Sequence, residues 1–142
     1  MRISVLGAGA WGTALAIHLS KLNPTKLWAR NSGHVSGMRK AQSNPLYLGD
    51  FKFPPLLEIS DDFDGALADA DFVVCAVPTS GFRQTLKAIN EINQSATVIW
   101  ANKGLEQGSA KLPHEIAFEE LGDPKITNRH WGVISGPSFA AE

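Results

Sequence analysis

The sequence predicts an α/β fold: a doubly wound parallel sheet with helices on both faces, in a single domain spanning residues 1–142. Three observations predict it. Six short apolar runs alternate with helical patterns, the signature of strand–helix–strand crossovers. The runs are mostly too continuously apolar for strands with one wet face, and strands of a buried parallel sheet read this way. The chain has 142 residues at 44% hydrophobic content, enough for one sizeable core.

Each element has its own justification. The first strand, Arg2–Leu6, runs into a glycine-rich turn and a helix over Trp11–Leu22, which Asn23-Pro24 breaks. The second strand is Thr25–Ala29, followed by a helical pattern over His34–Gln42. The stretch Ser43–Pro55 carries Asn44-Pro45, Gly49-Asp50 and Pro54-Pro55 and predicts a long surface loop, a kind of segment that is often functional. Leu57–Ser60 is the least continuously apolar strand. Asp61 or Asp62 caps the helix Phe63–Ala68, and the nearby Asp64 belongs to the same solvated first turn. The fourth strand, Phe72–Ala76, leads to a helix over Phe82–Ile92 with Ser80 as its predicted cap. Thr97–Trp100 is the fifth strand, Pro113–Leu121 a helix opened by proline and stopped by Gly122, and Trp131–Ser135 the sixth strand.

Composition narrows the function. Net charge is −1, with basic residues scattered, so nothing predicts a nucleic-acid partner or an anionic membrane surface. No apolar run approaches the ~20 residues of a membrane span. The chain enters a strand at once, which predicts no signal peptide. The single cysteine, Cys75, sits in an apolar run and reads as a buried, inert thiol in a reducing cytoplasm. His18, His34, His114 and His130 are dispersed and read as helix-surface or cap residues rather than a metal site.

Ligands of open α/β sheets bind beyond the carboxyl ends of the strands, so the candidate site residues follow those ends. After the first strand comes Gly7-Ala8-Gly9-Ala10-Trp11-Gly12, a Gly-x-Gly-x-x-Gly turn between strand and helix. This is the dinucleotide fingerprint of the Rossmann fold in its proper context. Gly7 permits the tight turn, Gly9 lets a pyrophosphate approach the backbone, and Gly12 lets the helix pack closely. The N–H groups of Ala10 and Trp11 open the helix towards phosphate, while the Trp11 ring fits packing or cofactor contact equally. After the second strand stands Arg30, where an NAD-selective site usually carries an acid. A guanidinium suits a 2′-phosphate, so the expected cofactor is NADP(H), with NAD(H) the alternative and a solvated surface arginine the plain reading. Thr79 and Ser80 follow the fourth strand as either a cofactor-facing loop or a simple turn. Lys103, between Asn102 and Gly104 at the end of the fifth strand, suits an anionic substrate or a carbonyl being reduced. Beyond the sixth strand, Gly136 and Ser138 offer either phosphate donors or a helix-entry loop capped by Ser138.

Four segments together resemble the bacterial NAD(P)-dependent glycerol-3-phosphate dehydrogenase family: Gly7–Ala16, Leu27–Asn31, Trp100–Glu106 and Ile134–Glu142. The resemblance runs through the chain in order. It implies hydride transfer between NAD(P)H and dihydroxyacetone phosphate, giving sn-glycerol 3-phosphate for phospholipid synthesis. It also implies that Ala10, Trp11, Arg30, Asn31, Tyr47 and Ala140 line the cofactor site. Lys103 would touch cofactor and substrate, and Gly136 and Ser138 would hold the substrate. The family carries a second, helical domain that supplies the general acid–base lysine, so no catalytic acid–base is expected among these residues. The chain is therefore expected to be the cofactor-binding fragment, able to bind NADPH with little turnover of its own. A homodimer stays open for the complete enzyme. Two other readings stay open: a non-catalytic NADPH-sensing module, and a two-domain hydroxy-acid or ketopantoate-type reductase.

Overall fold

β1 (Ile3–Leu6) occupies the centre of a six-stranded sheet in the order β3-β2-β1-β4-β5-β6, and every neighbouring pair is parallel. The computed structural model describes residues 1–135. The other strands are β2 (Thr25–Trp28), β3 (Leu57–Ser60), β4 (Phe72–Cys75), β5 (Thr97–Trp100) and β6 (Trp131–Val133). The connecting helices are α1 (Ala10–Leu19), α2 (Ser32–Ala41), α3 (Pro45–Leu48), α4 (Phe63–Leu67), α5 (Thr79–Ile92), α6 (Pro113–Leu121) and α7 (Pro124–Thr127). The doubly wound sheet expected from the sequence is the observed fold.

Alternation along the strands divides the core in two. Side chains of successive strand residues point to opposite faces. Leu6, Val73 and Cys75 meet α4, α5 and α6 on one face through Leu67, Phe82, Leu86, Ile89 and Ile116. Ile3, Val5, Leu27 and Val74 meet α1 and α2 on the other through Ala16, Val35 and Met38. Phe82, Leu86 and Ile89 recur at helical spacing on α5 and are fully buried. Burying each such side chain contributes about 1.5–3 kcal/mol. The least apolar strand, β3, lies at one edge of the sheet, where one flank is unpaired.

The local signals hold at several ends. The Asp62 carboxylate accepts from the Gly65 N–H at 3.0 Å and caps α4. Gly122 ends α6 at φ +83°, a backbone conformation that suits glycine. Cys75 is fully buried, and burial pushes its thiol up to about 12. Two expectations need correction. α5 begins at Thr79 directly after Pro78 and has no side-chain cap, so Ser80 lies inside its first turn. Pro78 sets the extended entry, and Thr79, the one residue before Ser80, is already helical. The segment 43–55 is no plain surface loop: it contains α3, and Ser43 and Asn44 are buried.

Candidate cofactor-binding site

The strand order reverses at β1, which has β2 on one side and β4 on the other. Loops leaving the carboxyl ends of these strands diverge and open a crevice, the usual ligand position in such sheets. Here that crevice is a cleft of about 800 Å³. Its floor is the glycine turn, one wall follows β2, and the other is the entry to α5.

The floor is built by two glycines that packing demands and one that it does not. Gly7 has φ +107°, and a Cβ there would lie 2.5 Å from the Ala76 carbonyl oxygen. A Cβ on Gly12 would collide with the Gly7 carbonyl oxygen. By contrast, among the described residues nothing beyond its chain neighbours lies within 4 Å of where a Cβ of Gly9 would sit. That open space borders the cleft at the start of α1, a ten-residue helix whose Gly9 cap supplies no side-chain acceptor. Free N–H groups and empty space at a helix N-terminus fit a pyrophosphate. These residues fit a dinucleotide.

Arg30, Asn31, His34 and Tyr47 share the β2-side wall. Arg30 is exposed. Asn31 is also the cap of α2, its Oδ1 accepting the His34 N–H at 2.9 Å. The His34 and Tyr47 rings meet edge to face, with centroids 5.6 Å apart. His34 therefore lies on the first turn of α2, on the helix surface that faces the cleft. Asn44 is the residue that local sequence does not announce. Fully buried, it donates to the Ala8 carbonyl at 3.0 Å and to Thr13 Oγ1 at 2.8 Å. Its Oδ1 lies 3.0 Å from His34 Nε2.

The remaining expected residues are arranged around this cleft. Gly7 and Gly9 line it with Arg30, Asn31 and Tyr47. Ala10 and Trp11 lie exposed on the first turn of α1, and Gly12 is buried beneath them. Gly136, Ser138 and Ala140 lie outside the described residues. Lys103 is exposed on the loop after β5. That loop is tied to the entry of α5, whose Pro78 and Ser80 border the cleft. Thr79 Oγ1 donates to the Lys103 carbonyl at 2.9 Å, and Asn102 Nδ2 donates to the Val77 carbonyl at 2.5 Å. Three residues further on, Glu106 accepts twice from Arg83. The Arg83 guanidinium also reaches Glu119 at 2.7 Å and Glu120 at 2.6 Å. Hydrogen bonds from Arg83, and then from Ser109, hold the Glu106 carboxyl down at about 2.

A Rossmann sheet with a fingerprint turn, an open phosphate cradle and a cleft at the strand-order reversal defines a dinucleotide-binding domain. Comparison with known proteins narrows the class. The family described as NAD-dependent glycerol-3-phosphate dehydrogenase N-terminus matches residues 2–142, and the chain belongs to that family. It is 54% identical over 142 residues to a glycerol-3-phosphate dehydrogenase [NAD(P)+] from Methylobacillus flagellatus, covering 100% of this chain and 42% of the relative. A protein of the same description from Aromatoleum aromaticum is 44% identical with the same coverage. The crystal structure of glycerol-3-phosphate dehydrogenase from Coxiella burnetii superposes with a TM-score of 0.84 at 34% identity, covering 98% of this chain and 42% of that one. The chain thus spans about two-fifths of the length of these relatives. Among the described residues, no helix is long and apolar enough to cross a membrane.

Proposed function

We propose that this chain is the cofactor-binding part of an enzyme that reversibly reduces dihydroxyacetone phosphate to sn-glycerol 3-phosphate with NAD(P)H. The observation that carries this reading is family membership over residues 2–142. When bound, the nicotinamide supplies or accepts the hydride. The chain's residues bind and orient. The first turn of α1 holds the pyrophosphate with its backbone N–H groups, and Gly9 leaves the phosphates room. Arg30 on the β2-side wall favours NADP(H) by pairing with a 2′-phosphate, with NAD(H) the weaker ligand.

Lys103 holds the anionic substrate and the nicotinamide side of the cofactor, with Gly136 and Ser138 receiving the substrate and Ala140 the cofactor. Carbonyl reduction needs a proton donor within hydrogen-bond reach of the forming alkoxide. In this reading that donor is a lysine from the part of the complete enzyme beyond residue 142, and the chain by itself binds cofactor with little turnover. The product feeds glycerophospholipid synthesis in the cytoplasm. The test is a steady-state assay of the full-length gene product, wild type and Lys103→Ala, with dihydroxyacetone phosphate and NADPH. Turnover that falls at least about a hundredfold in the variant supports the reading. Absence of turnover in the wild type, or an unaffected variant, contradicts it.

A further inference from the structure

Both polar atoms of the buried Asn44 carboxamide have partners, and those partners leave it one orientation. Ala8 offers a carbonyl, which only accepts, so the Asn44 NH₂ group faces it at 3.0 Å. The second N–H goes to Thr13 Oγ1 at 2.8 Å. The carbonyl oxygen of Asn44 is thereby turned to His34 Nε2 at 3.0 Å. Two acceptors cannot bond, so Nε2 carries a proton, and in the neutral ring Nδ1 carries the lone pair.

Three separate pieces of the cleft meet at this one side chain. Ala8 belongs to the glycine turn, Thr13 to α1, and His34 to the β2-side wall. In a trans peptide the carbonyl and the following N–H point in opposite directions. Pinning the Ala8 carbonyl onto Asn44 therefore directs the Gly9 N–H away from the core, and Gly9 borders the cleft. The Asn44 backbone carbonyl also accepts from the Tyr47 N–H at 3.2 Å, setting the turn that carries Tyr47 to the same wall.

We infer that Asn44 is a positioning residue for the cofactor: it aims the Gly9 N–H and holds His34 as its Nε2-protonated tautomer against the cleft. This rests on the cleft being the dinucleotide site. The experiment pairs ¹H–¹⁵N correlation of the His34 ring near about pH 8, where imidazole is ordinarily neutral, with calorimetric titration of NADPH and NADH. The wild-type chain shows protonated Nε2 and unprotonated Nδ1. Folded Asn44→Ala loses that single tautomer and binds cofactor about tenfold or more weakly, since a pinned donor is released. Should Asn44→Ala not fold, His34→Gln, which keeps a donor near the Nε2 place, and His34→Phe, which keeps only a ring, decide. Binding by the glutamine variant stays within about threefold of wild type while the phenylalanine variant falls further. An Nδ1-protonated ring in the wild type, or variants that bind as well as wild type, overturns this inference and leaves the cofactor reading standing. A wild-type chain that binds neither nucleotide overturns both.

Discussion

The Arg83 guanidinium grips both carboxylate oxygens of Glu106, Nε to Oε2 and Nη2 to Oε1, at 2.8 Å each. Arg83 lies one turn into α5, and Glu106 lies three residues beyond Lys103. The pair therefore fixes the lysine loop to the helix whose entry borders the cleft. Bidentate geometry is specific to arginine. Under the substrate-binding role proposed for Lys103, Arg83→Lys in the full-length enzyme is expected to raise KM for dihydroxyacetone phosphate more than it lowers kcat, because a loosened lysine would bind the anion less well without changing the chemistry. Steady-state kinetics check this, and an unchanged KM contradicts it.

The same pair sets a pH dependence. The Glu106 carboxyl is held at about 2, below its ordinary 4.5. A depressed folded-state value adds stability that is complete above the ordinary value and lost as pH falls towards the folded one. The stability gap between wild type and Glu106→Gln is thus expected to be constant above about pH 5 and to shrink as pH drops towards about 2. Urea unfolding at several pH values measures it.

Arg129 is a buried cation held by uncharged acceptors. It donates to the carbonyls of Ala96 at 3.2 Å and Asn93 at 2.8 Å, and to Asn90 Oδ1 at 2.9 Å. Burial lowers its ordinary affinity for the proton, yet it fastens the approach to β6 onto the end of α5. Arg129→Ala leaves those carbonyls unpaired in the core and is expected to cost about 2–4 kcal/mol. Chemical denaturation of the chain tests it.

In the proposed site Arg30 is the residue expected to set the choice of nucleotide. Arg30→Asp replaces a partner of the 2′-phosphate with a group that repels it and suits a ribose hydroxyl. The NADPH-to-NADH affinity ratio is expected to fall by at least about tenfold, or ~1.4 kcal/mol. Parallel titrations followed by the fluorescence of Trp28, which lines the cleft, read the ratio. A ratio that does not move contradicts this role.

Local sequence reveals what local physics decides. All six strands were legible because each is an apolar run beside a turn signal, and β6 ends earlier than expected, at Val133. As an edge strand it has hydrogen-bonded pairing on one side only. The one-turn helices α3 and α7 escaped because four residues cannot display a helical period. The glycine turn and Arg30 were legible by position. Asn44, His34 and the Arg83–Glu106 pair were not, because their meaning comes from partners 10 to 36 residues away. Asn44-Pro45 reads locally as a turn, and only the folded chain makes that asparagine the keystone of the cleft.

Gly9 and Gly12 separate a binding role from a packing role within one turn. Gly12→Ala is expected to destabilise the fold by about 3 kcal/mol, since its Cβ would meet the Gly7 carbonyl. Among the described residues Gly9→Ala meets nothing beyond its chain neighbours, at φ −74°, which alanine adopts freely. The most direct measurement is therefore calorimetric titration of NADPH into the wild-type chain and Gly9→Ala, with thermal unfolding of both. Saturable binding to the wild type, at least about tenfold weaker binding to the variant, and stabilities within about 0.5 kcal/mol are expected. Equal affinity of the two, or no binding to the wild type, would contradict a dinucleotide site at this turn.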